Sequence, residues 1–357
     1  MPGYRKYRVV RKVKESKQVV SLYLQPLDQG ALPLFKPGQH LMFKLYVPGR
    51  GVPAFRNYSF SDAFHPDYYR ISVKRASAPA GISSLPDGLC SSYLYDQVEE
   101  GDILEAKGPS GDFYLDPEDS RPVVLVAGGI GVTPLLCMAK SIIRVNPGRP
   151  VRFFYGVNDT CEHAFKEELA RLKSLHAGFS LTTFYREIGS DDVQGIDFDR
   201  RGLINMAAIA EQAGDGFAYY VCGPEPMMDA VISGLSANGV IASDIHTESF
   251  LAHTDTVDAQ DLSPQHEPDS PADGFMIEFI RSAKRLPWDN RYVSILEFAE
   301  ANEVEISSGC LFGDCGTCLT RIRGGQIKYT HPTLVKPGED HCLPCSCVPV
   351  SNLVLEA

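Results

Sequence analysis

The C-terminal part of the chain concentrates side chains that could bind metal. Six of the ten cysteines in the whole chain fall between Cys310 and Cys347. Cys310, Cys315 and Cys318 follow the spacing C-x4-C-x2-C, in the stretch CLFGDCGTC. Nothing in the sequence marks the chain as secreted, and clustered cysteines in a cytosolic protein more often bind metal than form disulfides. The spacing therefore predicts a metal centre in this stretch.

This spacing resembles that of plant-type ferredoxins, whose thiolates hold a 2Fe–2S cluster. Gly309, Gly313 and Gly316 allow the backbone to approach the cluster and to point N–H groups at its sulfur atoms. The alternative is a structural zinc site. Zinc prefers paired C-x2-C knuckles, which fit this pattern poorly, so the sequence favours the cluster.

A fourth thiolate is expected from the stretch CLPCSCVP, where Cys342, Cys345 and Cys347 are the candidates. Ferredoxins place their last ligand four residues before a proline at the final strand. The resemblance therefore implies Cys345, with Pro349 as that proline, while Cys342 and Cys347 stay open as alternatives.

The overall charge excludes some classes of protein. The chain carries 34 Lys and Arg against 45 Asp and Glu, a net charge of −11, which argues against binding to nucleic acid. It contains no apolar run of the ~20 residues that a membrane helix needs. The first residues, MPGYRKYRVV, lack the apolar stretch of a signal peptide. We therefore expect a cytoplasmic protein that binds neither nucleic acid nor membrane.

The pattern of elements predicts a multidomain protein of α+β and α/β type. Short strands broken by Pro-Gly and Asp-Gly turns indicate an antiparallel β-barrel, and alternating strands and helices then indicate a parallel sheet. An acidic, proline-containing linker leads to a β-rich module. The predicted domains are 1–117, 118–250, the linker 251–273 and 274–357. Helices are expected over 134–145, 162–175, 205–212 and 225–237.

Two motifs in the predicted barrel could hold a ligand. Arg56-Asn57-Tyr58-Ser59 offers a fixed charge for a phosphate and a ring and hydroxyl for a flat heterocycle. GLCSSYL, beginning at Gly88, is typical of a turn that starts a helix and could receive a pyrophosphate. A structural arginine and a plain helix cap are the alternative interpretations.

Two further motifs follow strands of the predicted parallel sheet. In AGGIGVTP the glycines allow close approach to a phosphate, Thr133 is expected to cap the helix, and Pro134 suits its first position. VCGPEPM places Cys222 and Gly223 at the end of another strand. Ligands of open α/β sheets gather at such strand ends, although a tight turn without a ligand is the alternative.

His40, His65 and His331 show no ligand spacing and are expected at the surface or in turns.

Together, RNYS, GLCSSYL, AGGIGVTP and CGPEPM resemble, in this order, the ferredoxin–NADP reductase superfamily and especially the reductase half of flavohaemoglobins. HTESF, ending at Phe250, resembles the last motif of that half. The order flavin, nicotinamide, 2Fe–2S is similar to that of phthalate dioxygenase reductase. The resemblance implies a flavin β-barrel, a parallel-sheet nicotinamide domain and a β-grasp ferredoxin domain.

The resemblance also implies roles for individual residues. The flavin would be held by Arg56, Asn57, Tyr58, Ser59, Ser72, Val73, Lys74, Gly88, Leu89, Cys90 and Ser91. The nicotinamide nucleotide would be bound by Gly129, Ile130, Gly131, Val132, Thr133, Cys222, Gly223 and Pro224. Ser59, Cys222, Glu248 and Phe250 would lie at the reacting rings, with Phe250 covering the flavin until nicotinamide displaces it.

The cofactors follow from the same resemblance. GLCSSYL is closer to the FAD-binding members, which favours FAD over FMN. The flavohaemoglobin-like pattern favours NADH, although Arg186 lies where NADPH-using members often bind the 2′-phosphate.

The leading functional hypothesis is the reductase component of a two-component oxygenase, with the oxygenase as its protein partner. Two alternatives are a stand-alone reductase of another redox protein or small acceptor, and the electron-transfer subunit of a larger dehydrogenase. The cysteine spacing of that subunit is tighter than C-x4-C. A structural zinc protein without redox activity is the most distant hypothesis.

Overall fold

The N-terminal strands form a closed antiparallel sheet, as the short strands broken by turns predict. In the computed structural model the described residues are 3–28, 30–76, 88–250, 274–311, 313, 315–333 and 335–357. The first strands are β1 Arg5–Lys14, β2 Val19–Pro26, β3 His40–Leu45, β4 Ala54–Ser59, β5 Tyr69–Lys74 and β6 Ile103–Ser110. Their order in the sheet is β4-β3-β6-β1-β2-β5. Phe60, directly after β4, bridges to Ile71 on β5, so the two edge strands meet and close the barrel.

The next part of the chain is a doubly wound parallel sheet. After helix α1 (Leu89–Ser92) of the barrel, the elements are β7 Val123–Gly128, α2 Val132–Val145, β8 Val151–Val157, α3 Lys166–Leu175, β9 Phe179–Tyr185, β10 Arg200–Arg201, α4 Met206–Ala210, β11 Ala218–Gly223, α5 Glu225–Ala237 and β12 Ile245–Ser249. The strand order is β10-β9-β8-β7-β11-β12, and every pair is parallel.

Alternate residues of the central strands fill two separate cores. Leu125 packs in the core that contains α2, whereas Val124 and Val126 pack on the opposite face with residues of α5. This alternation is the consequence of the two-residue period of a strand. Helices therefore cover both faces of the sheet, and both faces are apolar.

Three predicted helices have other boundaries, and the one predicted over 205–212 spans only Met206–Ala210. The helix predicted from residue 162 begins at Lys166, because Thr160–Glu162 form a separate 3-10 turn and Phe165 adopts a left-handed conformation with φ 59°. The Asp159 side chain accepts a hydrogen bond from the Glu162 amide and so caps this 3-10 turn separately from α3. The helix predicted from residue 134 begins at Val132.

The C-terminal residues form the β-grasp arrangement expected for a ferredoxin domain. Its elements are β13 Met276–Phe279, β14 Lys284–Pro287, α6 Ile295–Ala301, β15 Thr320–Gly324, β16 Ile327–Tyr329, β17 His341–Cys342, β18 Cys347–Pro349 and β19 Leu353–Leu355. Five of the strands form a mixed sheet in the order β14-β13-β19-β15-β17, and β16 pairs with β18. Phe298 of α6 packs in one core with Phe279 and Trp288.

Contacts along the chain define two compact units. The first contains Met1–Leu41 and Tyr58–His253, and the second contains Met42–Asn57 and Thr254–Ala357. The predicted linker 251–273 lies outside the described residues. No helix in the described ranges is both long and apolar enough to cross a bilayer.

A buried ion-pair network lies within the first unit. The side chain of Arg70 on β5 is 3% exposed and lies 2.9 Å from Glu168 Oε2 on α3. A second carboxylate, that of Asp62, lies 3.8 Å from Arg70 Nε. Lys140 on α2 contacts both carboxylates. The network thus joins a barrel strand to two helices of the parallel-sheet region.

Removing the Glu168 charge should destabilise the protein, because the buried Arg70 charge would lose its nearest partner. We expect Glu168→Gln to lower the free energy of unfolding by about 2 kcal/mol, less than for a fully isolated buried pair because Asp62 remains. The measurement is the urea denaturation midpoint. The control is Glu167→Gln on the exposed side of the same helix. Equal midpoints for the two variants would contradict the assigned role of the network.

Candidate functional site

The parallel sheet reverses its direction of winding between β7 and β11. These strands are neighbours, and they are followed by helices α2 and α5 on opposite faces of the sheet. A crevice outside the carboxyl ends of the strands at such a point is where open α/β sheets bind ligands. The ends here are Gly128 and Gly223. The predicted nicotinamide motifs therefore meet at one place.

The loops after β7 and β11 approach too closely for any side chain between them. A Cβ added to Gly131 would lie 2.2 Å from the Cys222 carbonyl oxygen. One added to Gly223 would lie 2.9 Å from the Gly128 Cα. Both distances are below what real Cβ atoms tolerate, so glycine is required at both positions. The structure thus brings the predicted set from Gly129 to Thr133 together with Cys222 and Gly223.

The expected capping role of Thr133 is wrong. Residues Gly129–Gly131 form a 3-10 turn that continues directly into α2, so the helix begins one residue before Thr133. The Thr133 hydroxyl lies inside the first turn and donates to the Ile130 carbonyl at 3.0 Å. Pro134 consequently occupies the third helical position rather than the first. The turn is held by the backbone and by this hydroxyl, without a side-chain cap.

A cluster of polar side chains lies beside the end of β11. Glu248 on β12 is the strand neighbour of Cys222. The Ser59 hydroxyl donates to Glu248 Oε2 at 3.4 Å, and His40 Nδ1 lies 4.0 Å from Glu248 Oε1. Ser59 and His40 are each 5% exposed, and Cys222 is fully buried. Phe250, just beyond β12, packs against the apolar core of the sheet.

Burial keeps this cluster uncharged at neutral pH. It raises the pKa of Glu248 to about 8, although the hydrogen bond from Ser59 acts in the opposite direction. It lowers the pKa of His40 to about 4. The pKa of Cys222 is raised by burial and further by Glu248. The site therefore holds a protonated carboxyl, a neutral imidazole and a thiol.

His40 is a site residue that the sequence interpretation missed. It was expected at the surface or in a turn, but it is the first residue of β3 and is buried against Gly111, where a Cβ would lie 2.8 Å from its ring. The available signal was the apolar run LMF that follows it, which marks a buried strand. Only the tertiary structure places its ring near Glu248.

The flavin motif on β4 is engaged in contacts within the second unit. Arg56 Nη1 donates to the Phe55 carbonyl at 2.8 Å and to Glu297 Oε1 at 3.1 Å. Asn57 Nδ2 donates to the Gly309 carbonyl at 2.6 Å. Asn57 Oδ1 is buried and accepts no hydrogen bond from the described residues. The charge of Arg56 is thus paired with the Glu297 carboxylate.

Of the predicted flavin residues on β5, Ser72 and Val73 have buried side chains and Lys74 is partly exposed. The Ser72 hydroxyl lies 2.7 Å from the hydroxyls of Ser21 and Ser61, in a buried group. Val73 is fully buried, and Lys74 pairs with Glu162 at 2.9 Å. Any contact of Ser72 or Val73 with a flavin would have to come from the backbone.

The predicted pyrophosphate turn, Gly88 to Ser91, is tightly closed. The Gly88 amide donates to the Ala76 carbonyl at 2.9 Å. The Ser91 hydroxyl donates to the Gly88 carbonyl and accepts from the Ala76 amide, both at 3.1 Å. Leu89 is partly exposed, whereas Cys90 is buried. Ser91 therefore stabilises the start of α1, which is the plain helix-start interpretation of this motif.

The predicted cluster ligands lie as two pairs of thiols. The Cys310 amide donates to Cys315 Sγ at 3.3 Å, and the Cys315 amide donates to Cys310 Sγ at 3.4 Å. Cys318 Sγ lies 3.1 Å from Cys345 Sγ. No three His, Cys, Asp or Glu side chains of the described residues converge on a point for a single metal ion. Two pairs fit a two-iron cluster, which takes two thiolates on each iron.

The two competing cysteines occupy a different place. Cys342 and Cys347 are fully buried and hydrogen-bonded to each other, and this contact raises the pKa of Cys347. The contact with Cys318 raises the pKa of Cys345 in the same way, so position alone separates the candidates: Cys345 Sγ lies 3.1 Å from Cys318 Sγ. This geometry favours Cys345 over the alternatives as the fourth ligand.

The raised pKa of Glu248 predicts a pH-dependent stability. The folded protein binds a proton that the unfolded chain loses near the ordinary pKa of 4.5, so stability should fall as pH rises from about 4.5 to about 8. Glu248→Gln should remove this component and make the variant relatively more stable at pH 8. The measurement is the thermal midpoint between pH 5 and 9, with Glu225→Gln as an exposed control. An unchanged pH slope in Glu248→Gln would contradict the assigned pKa.

Three domain families match the chain in order. The oxidoreductase FAD-binding domain matches residues 6–114, the oxidoreductase NAD-binding domain matches 125–232, and the 2Fe-2S iron-sulfur cluster binding domain matches 283–350. The barrel, the parallel sheet and the cysteine loop fall within these three matches. The expected cofactor classes, FAD, a nicotinamide nucleotide and a 2Fe–2S cluster, are therefore confirmed at the level of domains.

Known proteins are similar to different parts of the chain. The flavohemoprotein of Bordetella pertussis is 39% identical over 250 residues, which are 70% of this chain and 61% of the relative. The chain thus spans about three fifths of the length of that curated relative. The flavohem-like FAD/NAD binding domain of nitric oxide dioxygenase from Vibrio cholerae is 34% identical, with a TM-score of 0.62, and the match covers 70% of this chain and 99% of that one.

A solved structure also matches the full length. Phthalate dioxygenase reductase, described as a modular structure for electron transfer from pyridine nucleotides to [2Fe-2S], is 25% identical with a TM-score of 0.68. The match covers 99% of this chain and 98% of that one. The chain belongs to the ferredoxin–NADP reductase superfamily of NAD(P)H-dependent oxidoreductases, in the form that carries a C-terminal 2Fe–2S ferredoxin domain.

Proposed function

We propose that the protein transfers electrons from NADH through FAD and a 2Fe–2S cluster to a protein acceptor, the oxygenase component of a two-component Rieske-type oxygenase. The observation that carries this proposal is the presence, in one chain, of the glycine loops at the switch point of the parallel sheet and of the paired thiols of Cys310, Cys315, Cys318 and Cys345. The full-length likeness to phthalate dioxygenase reductase supports the same order of electron carriers and the same class of acceptor.

The cofactor and the protein divide the work of the reaction. A bound flavin converts between the hydride of a nicotinamide and single electrons. The chain's own residues bind and orient: the glycine loops after β7 and β11 let the nucleotide approach the strand ends. Ser59 and the protonated Glu248 offer uncharged hydrogen-bonding groups beside Cys222. One turnover oxidises one NADH to NAD⁺, releases one proton and reduces two one-electron acceptors.

The residue assignments form part of this proposal. Arg56 to Ser59, Ser72 to Lys74 and Gly88 to Ser91 would contact the FAD, with the Arg56 charge shared between Glu297 and a phosphate. Phe250 would cover the flavin ring. We also propose the domain division 1–117, 118–250 and 274–357, with 251–273 as the linker.

The donor is proposed to be NADH because of the likeness to flavohemoproteins. Arg186, exposed at the carboxyl end of β9, is the residue through which NADPH could instead be used. The same likeness favours a second candidate function, in which the protein is a stand-alone reductase of another redox protein or small acceptor. The two functions share the donor side and differ only in the acceptor.

The first experiment is an absorbance spectrum of the purified protein, followed by anaerobic titration with NADH and, separately, NADPH. We expect flavin bands and a broad cluster absorption, bleached by about three electrons per chain, two for the flavin and one for the cluster. NADH should act at lower concentration than NADPH. A flavin spectrum without a cluster would contradict the 2Fe–2S assignment, and a colourless zinc protein would contradict the redox function.

The cluster and the flavin should be separable by mutation. Cys315→Ser should abolish the cluster absorption and its electron paramagnetic resonance signal, while NADH still reduces the flavin. Loss of flavin reduction in this variant would show that the two centres are not modular.

The choice of the fourth ligand can be tested with a matched pair of variants. Cys345→Ser should remove the cluster signal, because Cys345 lies next to Cys318. Cys342→Ser should retain it, because Cys342 is paired with Cys347 and not with Cys318 or Cys345. The readouts are iron content per chain and the cluster absorption. Retention in Cys345→Ser with loss in Cys342→Ser would reverse the assignment.

A further inference from the structure

A buried carboxylate on the ferredoxin helix α6 holds two arginines of the second unit. The Glu297 side chain is 7% exposed, and its Oε2 lies 2.7 Å from Arg50 Nη2. Its Oε1 lies 3.1 Å from Arg56 Nη1 and accepts from the Phe55 amide at 3.4 Å. Arg50 and Arg56 are themselves 10% and 16% exposed. These groups, Glu297 with Arg50, Arg56 and the Phe55 amide, are called the Glu297 clamp below.

Helix capping alone does not explain the clamp. The Ser294 hydroxyl accepts from the Glu297 amide at 3.2 Å, and the Val293 amide donates to Glu297 Oε2 at 3.4 Å. This is close to a capping box, in which glutamine serves as well as glutamate. A cap at a helix end needs no guanidinium, whereas Glu297 binds two. Its charge therefore has a second role.

The clamp lies beside a direct bond between β4 and the cluster loop. The Asn57 side chain donates to the Gly309 carbonyl at 2.6 Å, and Gly309 immediately precedes Cys310. A Cβ at Gly309 would lie 2.9 Å from Cys315 Sγ, so this backbone is packed against the thiols themselves. The strand that carries the proposed flavin residues is thus bonded to the backbone that carries the proposed cluster ligands.

We propose that Glu297 is a positioning residue that clamps the cluster loop to β4 and so sets the rate at which the cluster receives electrons. The inference rests on the proposed function. Each step would move one electron from the flavin to one ferric iron of the cluster, and the protein acceptor would take that electron before the second step, so that each NADH oxidised to NAD⁺ and a proton reduces two one-electron acceptors. Breaking a buried ion pair leaves uncompensated charge, so losing the Glu297 charge should release the contact.

The test uses the holoenzyme and anaerobic stopped-flow mixing with NADH, following flavin and cluster bleaching separately. Glu297→Gln keeps the capping geometry and removes the charge. We expect cluster reduction to slow at least about tenfold, with flavin reduction within about twofold of wild type. Arg50→Gln should act in the same direction, and it serves if Glu297→Gln fails to fold. Glu305→Gln, an exposed carboxylate of the same domain, is the control and should change neither rate.

Hydrogen exchange of the same variants tests the contact without any redox reaction. Amides in Met42–Asn57, including that of Phe55, should exchange faster in Glu297→Gln and Arg50→Gln than in Glu305→Gln. Unchanged exchange, or faster exchange with unchanged cluster reduction, would overturn the inference. If NADH does not reduce the flavin of the wild-type protein, the proposed function fails, and the exchange result still decides whether the clamp exists.

Discussion

The close packing of the two loops at the switch point is the constraint on which the nucleotide-binding region depends. With 2.2 Å between the Cys222 carbonyl and a Cβ built on Gly131, only glycine lets the end of β11 lie against the start of α2. That contact fixes Cys222 at the strand end. Through the pairing of β11 with β12 it also fixes Glu248, since the two residues are neighbours in register.

Burial then determines the chemistry of the groups held there. Ionising Glu248 beside His40, Ser59 and Cys222 would place a charge where burial limits its solvation. The proton therefore stays on Glu248 at neutral pH. An uncharged site is compatible with a nicotinamide ring that changes its own charge when it loses hydride. Burial also lowers the pKa of His40 to about 4, so at neutral pH neither His40 nor Glu248 adds a charge beside Cys222.

The C-terminal domain uses charge in the opposite way. Two guanidiniums and a backbone amide surround the Glu297 carboxylate. A buried ion pair of this kind adds little to stability compared with an apolar contact, but it specifies one arrangement of the groups that it joins. Specificity of arrangement is what an electron carrier needs, because transfer weakens steeply with distance. Arg56 thus serves a contact that the flavin motif alone did not predict.

Local patterns in the sequence predicted the elements and the motifs. Short strands separated by turn residues predicted the barrel, and strands alternating with helices predicted the parallel sheet. Helix α5 begins and ends where expected, at Glu225–Ala237. The spacing C-x4-C-x2-C predicted the cluster domain. These features depend on neighbouring residues, whose periodicity and spacing can be recognised without knowing the fold.

Contacts between distant residues were decided only by the tertiary structure. The burial of His40 near Glu248 joins residues about two hundred positions apart. The pairing of Arg56 with Glu297 joins residues that are similarly far apart in the sequence. The start of α3 depended on the left-handed Phe165, whose ring packs in the core of the sheet. By itself the sequence determined which chemical groups are available. Folding decided which of them meet, because burial and charge pairing arise only when separate elements pack together.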